Sequence, residues 1–578
     1  MKEQNGNNQN KDTEVQNNQK ESRPRSFKMI GIGAAVVVII AVAVVAAWLF
    51  YNPYISVPDD YHTIQAAIEA ADDGEEIVVE PGVYYEQIDF LGKDITVRST
   101  DPDNQEVVAE TVIDGRKRGS VVTFQNGESN SAVLKGFTLS NGIGTSESVS
   151  YEEEGEQVTE EGHYGGGIYV NSNSSPTISK NLITGNDTDL DGGGIAVLGD
   201  SRPVIENNNI RNNNSLNGGG ITVLEASPII EDNTIAENAA QYLGGGILVD
   251  FDSSPRVNGN NINSNSCTSG GGIAVWNADP LINNNTIHNN EAIWFGGGIA
   301  VFNASPTIEN NEVSQNSAQN HGGGIALSEG GTPEIVNNTV MKNYTEESGG
   351  GIAILDGSEP NVADNILSEN AVLYGGGGIY IKNASPTIDG NDITGNLVQQ
   401  DGGGVAIMIN SSPILTGNLI DENNAGRAGG GVVVAEESNV LFSDNTISNN
   451  EAERTGGGFI VQNSTIEMEK NIISGNIAST ESGGGMIIVA QSSATITGNE
   501  FIENIAAEFG GGLVAYEESV VSLTENDFIA NEAEEGGGAF IGFGEASIDL
   551  NDPDDNTYED NIPEDLEEDN GEKETDSD

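Results

Sequence analysis

Three consecutive glycines followed by a hydrophobic residue recur fifteen times in this 578-residue chain. Their first glycines stand at 165, 192, 218, 244, 270, 296, 322, 349, 376, 402, 429, 456, 483, 510 and 536. The interval is 26 or 27 residues throughout. Self-similarity at such a period marks a chain built from stacked supersecondary units. A representative unit, "GGGIAVFNASPTIENNEVSQNSAQNH" (296–321), holds three short apolar stretches: Ile-x-Val after the glycines, x-Ile after Ser-Pro, and Asn-x-Val. None is long enough for a helix, and each is bounded by turn residues. Three short strands per unit, with turns between them, describe one coil of a parallel β-solenoid. Strand alternation then predicts Ile299 and Val301 inside and Ala300 outside, with Ile308 and Val313 as the inward residues of the other two strands. With neighbouring strands about 4.8 Å apart, fifteen such coils stack to about 70 Å.

The glycines and asparagines have backbone work to do in such a stack. Gly296-Gly297-Gly298 leads into a strand, lacks a following Lys, and repeats too often to be a phosphate loop. A corner needing positive φ or close backbone approach explains it better, and it leaves a side-chain-free ledge along the stack. Asn311 and Asn316 recur as Asn285/Asn290, Asn338/Asn343, Asn391/Asn396 and Asn445/Asn450. Stacked coil on coil, their amides form ladders. Pro306, Pro280, Pro333 and Pro386 fall at strand entries, where a missing N–H is tolerated.

Around the repeats, the sequence divides as follows. Residues 1–28 form a polar tail, and 29–51 include the uncharged run "MIGIGAAVVVIIAVAVVAAWLF". That run matches the hydrocarbon thickness of a bilayer. Arg23, Arg25 and Lys28 precede it, while Trp48, Tyr51 and Tyr54 follow. A single anchor with the N-terminus inside and the remainder outside is expected, rather than a cleaved signal. Residues 52–145 read as a capping helix, with Ile64, Ala67, Ile68 and Ala71 at helical spacing, followed by irregular first coils. Residues 146–163 read as an acidic mobile loop, 164–550 as regular coils, and 551–578, with fourteen acids and one Lys, as a disordered tail.

The chain resembles the right-handed parallel β-helix (pectin-lyase-like) superfamily over about residues 55–550. The entry segment "YHTIQAAIEAADDGEEIVVEPGVYYEQI" (61–88) is similar to that of pectinesterases and NosD-like proteins. The triplet-Ile and NxIxxN pattern resembles the repeats of polymorphic outer-membrane proteins, which are surface adhesins. The resemblance implies an all-β, right-handed parallel β-helix; the triplets count about fifteen regular coils after irregular N-terminal ones, and the apolar run 29–50 places one transmembrane helix before them. It leaves function open, because the fold hosts many activities.

Chemistry is sparsely marked. The formal charge of −68 repels nucleic acid. The single cysteine, Cys267, excludes intrachain disulfides and Cys-based zinc. His62, His163, His288 and His321 are far apart in the repeat register, which argues against copper. No cofactor is expected beyond structural or bridging calcium. The motifs of pectinesterases and polygalacturonases are missing, and the sixteen Lys/Arg of residues 29–578 read as scattered singly, with no two in register on successive coils. Aromatics are concentrated instead. Trp276 and Phe302 share a register one coil apart, Trp294 and Phe295 precede a triplet, His321 precedes the next, and Tyr242 and Tyr374 share the register of Trp294. Trp276 and Phe302 are expected to face outward beside the glycine ledge, and the seven residues read either as a platform for sugar rings or as a locally packed turn cluster of ordinary surface hydrophobes. The expected function is a membrane-anchored extracellular interaction or adhesion module that binds polysaccharide or cell-surface glycan. Its alternatives are a polysaccharide lyase, hydrolase or epimerase, and a surface-layer spacer.

Overall fold

A computed structural model describes residues 54–153, 156–542, 547–550, 555–563 and 566–568. The apolar run 29–50 lies outside the described residues. Among those that are described, no helix is long and apolar enough to cross a membrane.

The chain winds as a parallel β-solenoid of about 17 turns. The coil that begins at Gly296 shows how one turn is made. After the triplet comes the strand Ile299–Phe302, then Thr307–Glu309 after Ser-Pro, then Glu312–Ser314. Each pairs in parallel with its equivalent one coil on: Ile299 with Ile325, Ile308 with Ile335, Val313 with Val340. Three long sheets result, which we call the post-glycine, post-proline and Asn-flanked sheets. A fourth strand, Ser317–Ala318, was not apparent in the repeat; its equivalents build a narrow sheet of 12 strands.

Ile299, Val301, Ile308 and Val313 are buried in one continuous core running from Val57 to Ala539, as strand alternation requires. The prolines sit just before the post-proline strands, and their carbonyls serve the next coil: Glu334 N–H donates to Pro306 O at 3.0 Å. Two corners of each coil turn through one residue in the left-handed region, Asn310 (φ 55) and Gln315 (φ 56), each followed by a buried asparagine. Those asparagines form the expected ladders. Asn311 Nδ2 donates to Asn338 Oδ1 and to Ile282 O, and Asn316 repeats the pattern with Asn343 and Ile287. One ladder runs from Asn181 to Asn556 and the other from Asn186 to Asn561.

The glycine triplet is a corner, but it is no ledge. All three glycines are buried. Gly296 has φ +59, whereas a Cβ on Gly297 would lie 2.5 Å from the carbonyl oxygens of Gly323 and Ser317. On Gly298 a Cβ would meet Gly324 O, Val313 and the Asn316 amide. Backbone approaches backbone there, so no side-chain-free shelf is open to solvent.

The ends differ from the regular coils. The helix Ile64–Ala70 begins at an N-cap, Thr63, and buries Ile64, Ala67 and Ile68 over the first coil. A second short helix, Gln105–Glu110, interrupts the early coils. The segment read as a mobile acidic loop is an antiparallel hairpin, Thr145–Glu153 paired with Glu156–Tyr164 over nine residue pairs. Coil structure also enters the acidic tail: Thr557–Glu559 pairs with Asp527–Ile529 between the last two ladder asparagines.

Candidate functional site

The second residue of each post-glycine strand points away from the main core, as Ala274, Ala300, Ala326 and Ala353 do. Yet each is almost fully buried. Two columns flank them, the residue before each triplet and the fourth residue of the strand; these are large at some coils, as at Phe295, His321, Trp276 and Phe302, and small at others, as at Ser348, Gly375 and Ala435. Where the larger ones stand, the outer face of this sheet is a trench with an apolar floor. Separate apolar clusters lie along it, outside the main core. One gathers Tyr164, Tyr169, Leu190 and Ala196 beside the hairpin, another Ala406, Val433 and Ala435, a third Ile487, Val514 and Phe540.

The seven aromatic candidates divide on this trench. Four come together: Trp276 and Phe302 at 5.1 Å between ring centres, Phe295 edge-on to Phe302 at 5.7 Å, and Phe295 stacked with His321 at 5.6 Å. Phe302 is only 4% exposed, so it fills a wall and does not offer a face. The cluster continues to Tyr380, whose ring lies parallel to His321 at 6.3 Å. The other three, Tyr242, Trp294 and Tyr374, are 49%, 53% and 54% exposed. They share a column, but Thr268 separates the first pair, and Asn320 and Glu347 the second. At about 4.8 Å per coil they stand about 10 and 14 Å apart, so they make no continuous platform.

Burial lowers the pKa of His321, Glu347 opposes the shift and Lys382 adds to it. Its Nε2 lies 3.7 Å from Glu347 Oε2, and its Nδ1 is buried without a hydrogen-bond partner. Further along the same face, Asp250 follows Leu224 in the fourth-residue column, and burial pushes its carboxyl up to about 7 against the Phe251 N–H bond that favours ionisation.

Two arginines overturn the reading that no cations stack. Arg427 and Arg454 each stand two residues before a triplet on successive coils, and Arg454 N–H donates to Arg427 O at 2.9 Å. Arg427 Nε donates to Asp401 Oδ1 at 2.7 Å, and its Nη2 pairs with Asp401 Oδ2. Arg454 turns the other way, to Glu481 Oε1, with Nε at 2.8 Å and Nη2 at 2.6 Å. They rim a groove of about 430 Å³ that has Met408, Val433 and Ile460 in its lining. A second groove of about 400 Å³ shares Thr455 and Glu481 with it and continues to Phe509 and Tyr516. Burial raises the Tyr516 hydroxyl well above its usual range, with Ser482 opposing.

Sequence reasoning missed Tyr380, Arg427, Arg454, Phe509 and Tyr516. Counting two residues back from each triplet would have aligned the arginines. Among the described residues, no group of three or more His, Cys, Asp or Glu is gathered to hold a metal ion.

These coils, ladders and outer trench define a parallel β-solenoid carrying an extended groove. A family model described as the right handed beta helix region matches residues 120–284, 266–377 and 377–561, and the chain belongs to that family. No curated protein matches it. The chain is similar to a solved PL6 family alginate lyase, AlyGC, at 12% identity, covering 88% of this chain and 100% of that one. The TM-score of 0.25 carries no argument about this chain's chemistry.

Proposed function

We propose that this protein is a membrane-anchored surface interaction module whose solenoid holds an extended polysaccharide along the outer trench of the post-glycine sheet. The observation that carries the reading is the placement, on one face, of the Trp276–Phe295–Phe302–His321 cluster and the joined grooves from Asp401 to Glu517. An apolar floor with aromatic edges and a few ion-paired polar groups suits a polyhydroxylated chain, whose sugar rings have apolar faces and hydroxyl rims. Residues 29–51 supply the anchor, with the solenoid outside the cell.

The test is retention of the full-length chain on a panel of immobilised polysaccharides, beside a Trp276→Ala/Trp294→Ala variant. At least one neutral polysaccharide is expected to retain the protein, with retention at least tenfold weaker in the variant. Failure of every polysaccharide to bind, binding unchanged in the variant, or release of new reducing ends from a bound polymer would overturn this reading.

A further inference from the structure

We infer that the Arg427–Arg454 groove is a seat for one isolated carboxylate, carried on a chain that is otherwise neutral, and that it turns polyanions away. On four consecutive coils the charges run Asp401, Arg427, Arg454, Glu481: negative, positive, positive, negative, with Asp401 one residue before its triplet and the other three two residues before theirs. Each arginine is drawn toward its own carboxylate and away from the other arginine. An anion between the two guanidinium groups meets positive charge on both sides. A second anion one coil further along in either direction meets Asp401 or Glu481 instead.

The hydrogen-bonding inventory agrees. Arg427 uses Nε and Nη2 on Asp401, and Arg454 the same two nitrogens on Glu481. Each guanidinium keeps further N–H groups for a ligand, fixed in plane by its partner, and carboxylate is the anion that such a fork fits. The lining also includes two neutral amides, Gln462 and Asn463, and one more carboxylate, Glu436. Val433 and Ile460 add apolar surface to the lining. Fold stability does not account for the arrangement. The arginine side chains are 54% and 56% exposed, and pairs that open contribute about 0–1 kcal/mol.

This deepens the polysaccharide reading, but its first test is independent of it. The full-length chain, labelled with 15N in its arginines, is titrated with acetate and separately with inorganic phosphate at constant ionic strength and pH 7.5. The Nε resonances of Arg427 and Arg454 are expected to move together and saturably, with an acetate midpoint at least tenfold below that for phosphate. Arg98 and Arg202 serve as internal references and stay unmoved. Arg427→Gln should abolish the saturable shift at Arg454, and Asp401→Asn should erase the preference for acetate over phosphate. Uniform shifts at all arginines, or phosphate moving the pair first, would sink the inference; the wild-type titration decides this even if a variant fails to fold. Neutral oligosaccharides and the same chains bearing one carboxylate are then compared. If acetate moves the pair and no glycan binds, the seat stands and the polysaccharide reading falls. If neutral glycans bind and acetate moves neither arginine, the reverse holds.

Discussion

Asn311 donates both its backbone N–H, at 2.9 Å, and its side-chain Nδ2, at 3.0 Å, to a single oxygen, Oδ1 of Asn338. The same Nδ2 reaches back to Ile282 O, while Asn311 Oδ1 receives the equivalent pair of bonds from Asn285. One buried side chain thus joins three coils, and every polar atom in it is used.

Removing it leaves buried groups on both sides without partners. Asn311→Ala is expected to cost about 3 kcal/mol or more, since each buried unsatisfied group costs about 1–3 kcal/mol. A long repeat array need not unfold as one unit. The effect should therefore appear in native-state hydrogen exchange as lost protection centred on the coils of Asn285 and Asn338. Protection loss spread evenly over the solenoid would contradict the ladder account.

Glycines of the triplet should separate sharply from loop glycines. Gly297→Ala places a Cβ 2.5 Å from two carbonyl oxygens, whereas at Gly330, with φ +93, nothing lies within 4 Å. Urea unfolding should show Gly297→Ala losing at least about 3 kcal/mol or failing to fold, and Gly330→Ala losing only the about 1 kcal/mol of a left-handed alanine. Equal losses at the two positions would be inconsistent with backbone contact between coils.

The outer aromatics should divide into wall and surface. Phe302→Ala, at a 4% exposed position, is expected to lose about 3 kcal/mol. Trp294→Ala, at 53% exposure, should change stability by less than about 0.5 kcal/mol. Thermal denaturation of the two variants side by side checks the division.

Asp250 should make stability depend on pH. Its folded pKa is raised to about 7, so the folded chain keeps a proton that the unfolded chain releases near the ordinary carboxylate value of about 4. The neutral carboxyl's contribution is then complete below about pH 4 and is lost as pH rises through 7. Asp250→Asn keeps an oxygen for the Phe251 N–H and cannot ionise. It should match the wild type at pH 4 and exceed it by about 4 kcal/mol at pH 8 in urea titrations, since raising the carboxyl from about 4 to about 7 is worth about 1.4 kcal/mol per pKa unit. A stability gain that is the same at both pH values would remove Asp250 as its source.

The repeat itself was easy to read, because glycine corners, inward Ile/Val positions and the five-residue spacing of Asn311 and Asn316 each answer to one physical demand. A strand as short as Ser317–Ala318 carries no alternation, so the fourth sheet left no trace in the pattern. The hairpin strands Thr145–Glu153 and Glu156–Tyr164 are acid-rich, and composition argued for a loop where pairing prevailed. Acidity hid the last ladder members in the same way, although Asn556 and Asn561 keep the five-residue spacing. Of the site, the cluster around Phe302 was visible because aromatics are rare here. Arg427 and Arg454 share the position of Tyr242, Trp294 and Tyr374, two residues before a triplet, but two cations among mostly unrelated neighbours make no repeating pattern there.

Each ladder asparagine between the end members meets another asparagine above and below, so the bonds themselves cannot distinguish one such coil from the next. A chain slipped by a whole turn would close nearly all of them again. Which turn is which must be counted from landmarks that occur once, such as the helices Ile64–Ala70 and Gln105–Glu110 and the hairpin closing at Tyr164. Winding outward from them fixes the numbering of every later turn, including the two that bring Arg427 and Arg454 side by side.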